Sequence, residues 1–199
     1  MRYRELSISG AWAFEPPVFP DRRGVFVAPY QGPVFREALG FELVSRQTNH
    51  SRSARGVVRG VHFADVPPGQ AKYVYCPSGR LLDVIVDVRV GSPTFGRWEA
   101  VELDSDRLNA VYLSEGLGHA FVALAEPTVM AYLCSTPYTP GREHGIAPLD
   151  PALGLPWPSD LPPVLSDKDA EAPGLAQAQE QGLLPELAAC EAWYAALRK

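Results

Sequence analysis

The chain has 199 residues, of which 46% are hydrophobic and 21% charged, a balance that suits one ordinary globular domain with a sizeable core. A formal net charge of -5 argues against general nucleic-acid binding but permits a small anionic ligand in a local basic pocket. We expect a cytoplasmic protein with reduced thiols, because the three cysteines are widely spaced and the sequence has neither an apolar signal core nor an apolar run of membrane length.

Short segments rich in Val, Tyr, Phe and Leu, separated by many Pro and Gly residues, predict an all-β fold. A short helix is expected first, over residues 34–39. The predicted strands follow at residues 57–63, 71–76, 81–90, 98–103, 110–113, 120–124 and 129–135. In the third strand, apolar residues at the even positions from 82 to 90 alternate with Asp83, Asp87 and Arg89. One face of that strand should therefore lie in a core and the other in water or a pocket.

The last part of the chain, residues 173–199, is rich in Ala, Leu, Glu and Gln and predicts helix, divided in two by Gly182 and Pro185. No repeat or low-complexity linker interrupts the chain. We therefore expect a single domain over residues 1–199, with a core at about 14–170 and a helical tail at about 173–199. A series of short strands of this kind is typical of a sandwich, a jelly roll or a closed barrel.

Polar residues inside apolar strands are the candidates for chemistry, because burying them costs free energy unless they are paired. They are Arg59, His62, Lys72, His119 and Tyr132. Taken singly, each is more readily a packed or solvated strand residue than a functional group. Only their convergence on one cavity would favour a site.

A metal site is weakly supported by the sequence. A barrel site would require His-x-His with an acidic ligand on a neighbouring strand, but Ala64 stands two positions after His62. The other histidines, His50, His119 and His144, are isolated.

Eight short segments form an ordered series along the chain. They are residues 19–24 (FPDRRG), 47–51 (QTNHS), 59–63 (RGVHF), 67–72 (PPGQAK), 83–89 (DVIVDVR), 91–96 (GSPTFG), 116–121 (GLGHAF) and 165–169 (LSDKD). With Tyr132, Tyr138 and Asp150-Pro151, they resemble the dTDP-4-dehydrorhamnose (dTDP-4-dehydro-6-deoxyglucose) 3,5-epimerases, a family of metal-free cupins. The resemblance covers roughly residues 14–170. It implies a cupin fold, a double-stranded β-helix jelly roll, with short C-terminal helices and with no cofactor or metal.

The resemblance also implies roles for individual residues. His62 matches the proton acceptor, Asp169 its partner carboxylate, Lys72 the stabiliser of the enolate, and Tyr132 the proton donor on the opposite face of the sugar. Positions that match nucleotide or sugar contacts are Arg23, Gln47, Asn49, Arg59, His119, Tyr138, Glu143 and Lys168. Phe19 matches a contact from a partner subunit, since family members are homodimers with N-terminal strands exchanged or closely shared.

The implied chemistry suits these residue types. A C–H beside a ketone is acidic because the resulting anion delocalises onto oxygen, so its removal needs a positioned base and a cation near that oxygen. An imidazole, with an ordinary pKa of about 6.5, is a suitable base near neutral pH. Inversion further requires an acid on the opposite face of the ring, because one base alone would return the proton to the face that lost it.

Three positions depart from the family pattern: Ala28, Ala64 and Ala120 stand where members often have Glu, Gln and Gly. The catalytic positions are intact, so the departures bear on ligand contacts, and the closest likeness is to epimerases of antibiotic deoxysugars. We expect inversion at both C3 and C5 of a dTDP-4-keto-6-deoxy sugar by a cytoplasmic homodimer that binds neither nucleic acid nor membrane. The alternatives are an epimerase acting at C3 or C5 only on a related amino or dideoxy sugar, a non-catalytic binding cupin, and a metal-dependent cupin oxygenase.

Overall fold

The computed structural model describes residues 1–198, and strands dominate it. The strands are β1 (Arg2–Glu5), β2 (Ala11–Glu15), β3 (Val18–Asp21), β4 (Gly24–Val27), β5 (Gln47–Ser53), β6 (Val58–Ala64), β7 (Lys72–Ser78), β8 (Arg80–Asp87), β9 (Trp98–Asp104), β10 (Ala110–Leu113), β11 (Leu117–Ala123), β12 (Thr128–Cys134) and β13 (Glu143–Gly145). The helices are α1 (Gly32–Leu39), α2 (Asp167–Ala170), α3 (Leu175–Glu180) and α4 (Leu187–Leu197). Each predicted strand has its counterpart among β6–β12, and the predicted first helix is α1.

The strands form two antiparallel sheets that face each other, as in a jelly roll. One sheet has the order β1-β2-β10-β7-β12-β5 and the other β13-β6-β11-β8-β9, while β3 and β4 form a separate hairpin. Apolar residues from both sheets, among them Val74, Ile85, Val111 and Phe121, are buried together in one core cluster. The all-β jelly-roll prediction is therefore confirmed.

Strand β8 is buried on both faces. Its even-numbered residues Val84 and Val86 pack in a second cluster with Leu175 and Leu184 from the tail, so the tail covers this face of the sheet. On the other face, Asp83 and Asp87 are completely buried rather than solvated. The polar positions of this strand thus point into the protein, where they need partners.

Asp87 has its partners close by. The Arg89 guanidinium donates two hydrogen bonds to the Asp87 carboxylate, at 2.9 and 2.8 Å, and the hydroxyls of Ser92 and Thr94 donate one each at 2.6 Å. Burial alone would raise the pKa of Asp87, but these hydrogen bonds and the positive charge of Arg89 hold it below its usual value. A fully buried ion pair with satisfied oxygens therefore closes the end of β8.

The tail is helical and divided, as predicted. Helix α3 ends before Gly182, whose φ of +67° favours glycine, and α4 begins at Leu187. Cys190 of α4 is fully buried, and Tyr194 accepts a hydrogen bond from Ser114 at 3.0 Å. The tail therefore packs on the sheets. No helix within residues 1–198 is long and apolar enough to span a bilayer.

Candidate active site

Two adjoining chambers lie among the strands and share three of the predicted catalytic residues. His62, Lys72 and Tyr132 line both chambers. The first chamber, about 370 Å³, is also lined by Gln47, Asn49, Gln70, Tyr138 and Glu143. The second chamber, about 140 Å³, is also lined by Ser51, Arg59, His119, Phe121 and Met130. The structure thus brings together residues up to 96 positions apart in the chain, from Gln47 to Glu143.

Both sheets contribute to the chambers. His62 on β6 and His119 on β11 are paired across neighbouring strands of the five-stranded sheet. Tyr132 on β12 is paired with Asn49 on β5, and Lys72 begins β7, all in the six-stranded sheet. The predicted base and the predicted proton donor therefore approach a ligand from opposite sheets.

Glycine permits the close approach of the two histidine strands. Gly60 lies in β6 two residues before His62 and has a φ of +110°. A side chain at Gly60 would clash with the carbonyl oxygen of His119 and with Ala120. This position therefore needs glycine both for its backbone conformation and for the contact between β6 and β11.

His62 is paired with Asp169, as the family resemblance implied. The His62 Nε2 and Asp169 Oδ1 atoms are 2.7 Å apart, and the aspartate side chain is 6% exposed against 34% for the histidine. Asp169 lies in α2, whose first turn is capped by Ser166, and its backbone N–H donates to the serine hydroxyl at 3.2 Å.

The charge state of Asp169 determines which nitrogen of the His62 imidazole carries the proton. Burial alone would raise the pKa of Asp169, but the hydrogen bond from His62 and its charge hold that pKa below its usual value. An ionised carboxylate can only accept hydrogen bonds, so His62 Nε2 carries the proton. In the neutral imidazole, Nδ1 is then the nitrogen that can accept a proton.

Lys72 is a buried basic residue that pairs with no carboxylate among the described residues. The residue is 8% exposed, and it forms no ion pair within the part of the chain that the structure describes. Desolvation lowers the pKa of Lys72, while negative neighbours including Glu143 and Asp83 oppose that effect. A buried ammonium of this kind is best satisfied by an oxygen of a bound ligand.

Tyr132 keeps its proton near neutral pH. Burial raises the pKa of Tyr132 above its ordinary value of 10.0, because the phenolate would lose solvation. The phenol can therefore donate a hydrogen bond or a proton at the chambers. Its position opposite the His62 strand is the arrangement that proton return to a second face requires.

A second histidine–aspartate pair lies beside the first. His119 Nε2 and Asp83 Oδ1 are 2.6 Å apart, and both side chains are almost completely buried. The second oxygen of Asp83 has no hydrogen-bond partner among the described residues. From the sequence alone, Asp83 is predicted only to lie on the polar face of a strand. An acidic residue alternating with apolar ones was the available signal, but its partner is 36 residues away.

The amide side chains of Gln47 and Asn49 are linked in a chain of hydrogen bonds beside the first chamber. The Tyr138 backbone N–H donates to Gln47 Oε1 at 2.9 Å, Gln47 Nε2 donates to Asn49 Oδ1 at 2.8 Å, and Asn49 Nδ2 donates to Cys134 Sγ at 3.6 Å. These bonds fix which end of each amide is which. Gln47 and Asn49 therefore line the first chamber with oriented amide groups.

Three predicted contact residues lie away from both chambers. Phe19 and Arg23 are on the exposed β3–β4 hairpin, where Arg23 donates to the Asp21 carboxylate at 3.1 Å. Lys168 is exposed on α2, next to Asp169. Within one chain, these residues are not brought to the chambers. Of the positions that depart from the family pattern, Ala64 pairs with Glu143 across β6 and β13, and Ala120 packs against Gly60.

Within residues 1–198, no cluster of three or more His, Cys, Asp or Glu side chains has the arrangement of a metal site. Three of the four histidines, His62, His119 and His144, are each paired with one carboxylate. The ionisable side chains that line both chambers are those of His62, Lys72 and Tyr132.

The chain is similar to known proteins over most of its length. The model of the dTDP-4-dehydrorhamnose 3,5-epimerase family matches residues 5–177. The chain is 52% identical to the dTDP-4-dehydrorhamnose 3,5-epimerase of Mycolicibacterium smegmatis, covering 100% of this chain and 98% of that relative. It is also 52% identical to the dTDP-4-dehydro-6-deoxyglucose 3-epimerase of Streptomyces bikiniensis, covering 90% and 92%.

A solved structure is similarly close. NovW, a 4-keto-6-deoxy sugar epimerase from the novobiocin biosynthetic gene cluster of Streptomyces spheroides, superposes with a TM-score of 0.93 at 52% identity, covering 96% of this chain and 95% of NovW. Similarity therefore extends over nearly the whole chain, including all the segments that line the chambers.

Proposed function

The chain belongs to the dTDP-4-dehydrorhamnose 3,5-epimerase family, and from that premise we propose that it inverts C3 and C5 of a dTDP-linked 4-keto-6-deoxy sugar through an enolate. The observation that carries the proposal is the joint lining of the chambers by His62, Lys72 and Tyr132, with the base and the acid on opposite sheets. The similarity to NovW, which comes from an antibiotic biosynthetic gene cluster, supports a role for this chain in deoxysugar biosynthesis.

The proposed reaction uses each of the three side chains once per inverted carbon. His62 Nδ1 accepts the proton of the C–H beside the ketone, and the electron pair of that bond moves onto the C4 oxygen. The Lys72 ammonium stabilises the negative oxygen, an effect that typically contributes about 100- to 1000-fold in rate. The Tyr132 phenol then donates its proton to the carbon from the opposite face, and solvent restores both side chains.

Two carbons flank the same ketone, so one constellation can serve both in turn. A C3-only epimerase is the second candidate, because a 3-epimerase is as similar to the chain as a 3,5-epimerase is. The two candidates share every step described for the first carbon. They differ in whether the ring can present C5 to His62 after C3 has been inverted.

Nucleotide binding draws on the remaining chamber residues. Arg59 lines the second chamber and suits a diphosphate, because a guanidinium can donate two parallel hydrogen bonds to phosphate oxygens. Tyr138 lines the first chamber and is 56% exposed, which suits stacking on thymine. We assign contacts with the sugar or the base to His119, Gln47 and Asn49, which also line the chambers.

We also propose that the functional unit is a homodimer. The β3–β4 hairpin exposes four large apolar side chains, Val18, Phe19, Val25 and Phe26, at 38–69%. A monomer gains nothing from that exposure, whereas a second copy covering the hairpin would bury it. The same contact would bring Phe19 and Arg23 towards the chambers of the partner subunit. In their own chain, neither residue reaches the chambers. The three cysteines are buried and free, which suits the reducing cytoplasm.

The decisive experiment follows solvent deuterium into the sugar. The protein is incubated with dTDP-4-keto-6-deoxyglucose in deuterated water, and the sugar is analysed by NMR. Deuterium at C3 and C5 is expected, and deuterium at one carbon selects the mono-epimerase. The absence of deuterium exchange at full nucleotide occupancy would overturn the proposal. Stoichiometric iron in the purified protein would contradict a reaction that needs no metal.

A matched pair of variants tests the base. His62→Ala should abolish exchange at every carbon and leave dTDP binding largely intact, as measured by calorimetry. His144→Ala is the control, because His144 also pairs with a carboxylate, that of Asp65 at 2.7 Å, but lies outside both chambers. Wild-type exchange in the His62 variant would remove this residue from the role.

A further inference from the structure

Gln70 is hydrogen-bonded to Thr136 and to Glu143, and both Gln70 and Glu143 line the first chamber. Its Nε2 donates to the backbone carbonyl of Thr136 and to Glu143 Oε1, each at 3.2 Å. Both partners are acceptors only, so the amide nitrogen must face them and both of its N–H groups are used. Gln70 itself lines the chamber two residues before Lys72.

Glu143 is a half-buried carboxylate with one oxygen held and the other free. Within residues 1–198 it forms no ion pair, and the bond to Gln70 is its only side-chain hydrogen bond. It begins β13, a strand of three residues at the edge of its sheet that pairs only with β6. Among the described residues, the hydrogen bond from Gln70 is therefore the directional contact that orients this long, flexible side chain.

The charge of Glu143 restricts what its free oxygen can bind. A carboxylate repels a diphosphate and accepts hydrogen bonds from uncharged donors. In a dTDP-linked sugar, the uncharged donors are the hydroxyls of the two sugars and the imide N–H of thymine. The carboxylate therefore selects for one of these groups and against phosphate at this end of the chamber.

We propose that Gln70 is a positioning residue that aims the Glu143 carboxylate at an uncharged hydrogen-bond donor of the nucleotide sugar. This inference rests on the proposed function, because it takes the ligand to be a nucleotide-linked sugar. Gln70 acts through Glu143 and touches no reacting atom. Its loss should weaken substrate binding and leave the chemical step unchanged.

The test is a double-mutant cycle on steady-state epimerisation of dTDP-4-keto-6-deoxyglucose. Gln70→Ala should raise KM about tenfold, the effect of losing one hydrogen bond to a charged group, with kcat within about twofold of wild type. In a Glu143→Ala background, Gln70→Ala should have no further effect on KM, because the carboxylate that Gln70 positions is gone. Gln70→Met, which keeps the shape without donors, repeats the cycle if the alanine variant does not fold. Gln179→Ala is the control, because Gln179 is an exposed residue of α3.

Calorimetric binding of dTDP identifies the donor. Weaker dTDP binding by Gln70→Ala assigns the donor to the nucleotide, and unchanged dTDP binding with a raised KM assigns it to the hexose. The same KM increase in both backgrounds, a fall in kcat with unchanged KM, or no effect on KM would each overturn the inference. These outcomes differ from failure of the proposed function, in which the wild-type protein itself would exchange no deuterium with the sugar.

Discussion

Replacement of Asp169 by asparagine is the sharpest test of how the base is prepared. The substitution conserves the shape of the side chain and removes one negative charge 2.7 Å from His62 Nε2. It also lets the side chain donate as well as accept. If the amide donates to Nε2, the proton must move to Nδ1, and the imidazole then presents no acceptor to the substrate.

The expected loss of kcat in Asp169→Asn follows from the distance between His62 and Asp169. The attraction between an imidazolium and a carboxylate 2.7 Å apart is about 6 kcal/mol at an effective dielectric constant near 20 and about 1.5 kcal/mol in bulk water. The pair lies between these limits, because Asp169 is buried while His62 is 34% exposed. Since about 1.4 kcal/mol is tenfold in rate, Asp169→Asn should lower kcat about 100- to 10,000-fold.

Three measurements check this expectation. Deuterium incorporation at C3 gives the rate of proton removal, calorimetry with dTDP reports ligand binding, and thermal unfolding reports the fold. Asp167→Asn is the control, because Asp167 is an exposed acid in the same turn of α2. An Asp169→Asn variant that exchanges within threefold of wild type would refute the view that this carboxylate prepares the base.

Further predictions concern the other groups of the site and the core. Lys72→Met should lower kcat about 100-fold or more with dTDP binding retained, because the enolate oxygen loses its cation; near-wild-type kcat would exclude the role. Tyr132→Phe should impair inversion more than deuterium exchange, and wild-type inversion would assign the donor elsewhere. Arg89→Met should lower the free energy of unfolding by about 3–5 kcal/mol in chemical denaturation, because it leaves Asp87 buried and unpaired. The pKa of Asp87 is lowered on folding, so its contribution to stability is present above the unfolded pKa of about 3.8 and is lost as pH falls below it; Asp87→Asn should flatten that acid-side loss.

Local patterns in the sequence were sufficient to predict the strands from β6 to β12. The strands from β6 to β12 were predicted because apolar residues recur in them with strand-like spacing and Gly or Pro marks many of their ends. Strand β5 escaped prediction for a physical reason. Its sequence contains no apolar residue, since Gln47, Asn49 and Ser51 face the chambers rather than a core while the alternate residues are exposed. A strand that builds a polar site does not carry the pattern of a strand that builds a core.

The sequence by itself therefore determined the all-β class, the helical tail with its break near Gly182, and, through ordered motifs, which residues to examine. The tertiary structure decided which of them meet. His62 and Asp169 are 107 residues apart, and the bond from Gln70 to Glu143 spans 73. Such pairs depend on sheet order and strand register, which no local pattern encodes. The same reasoning explains Arg23 and Phe19: a motif marks them as ligand contacts, but their own chain holds them on an exposed hairpin, away from both chambers.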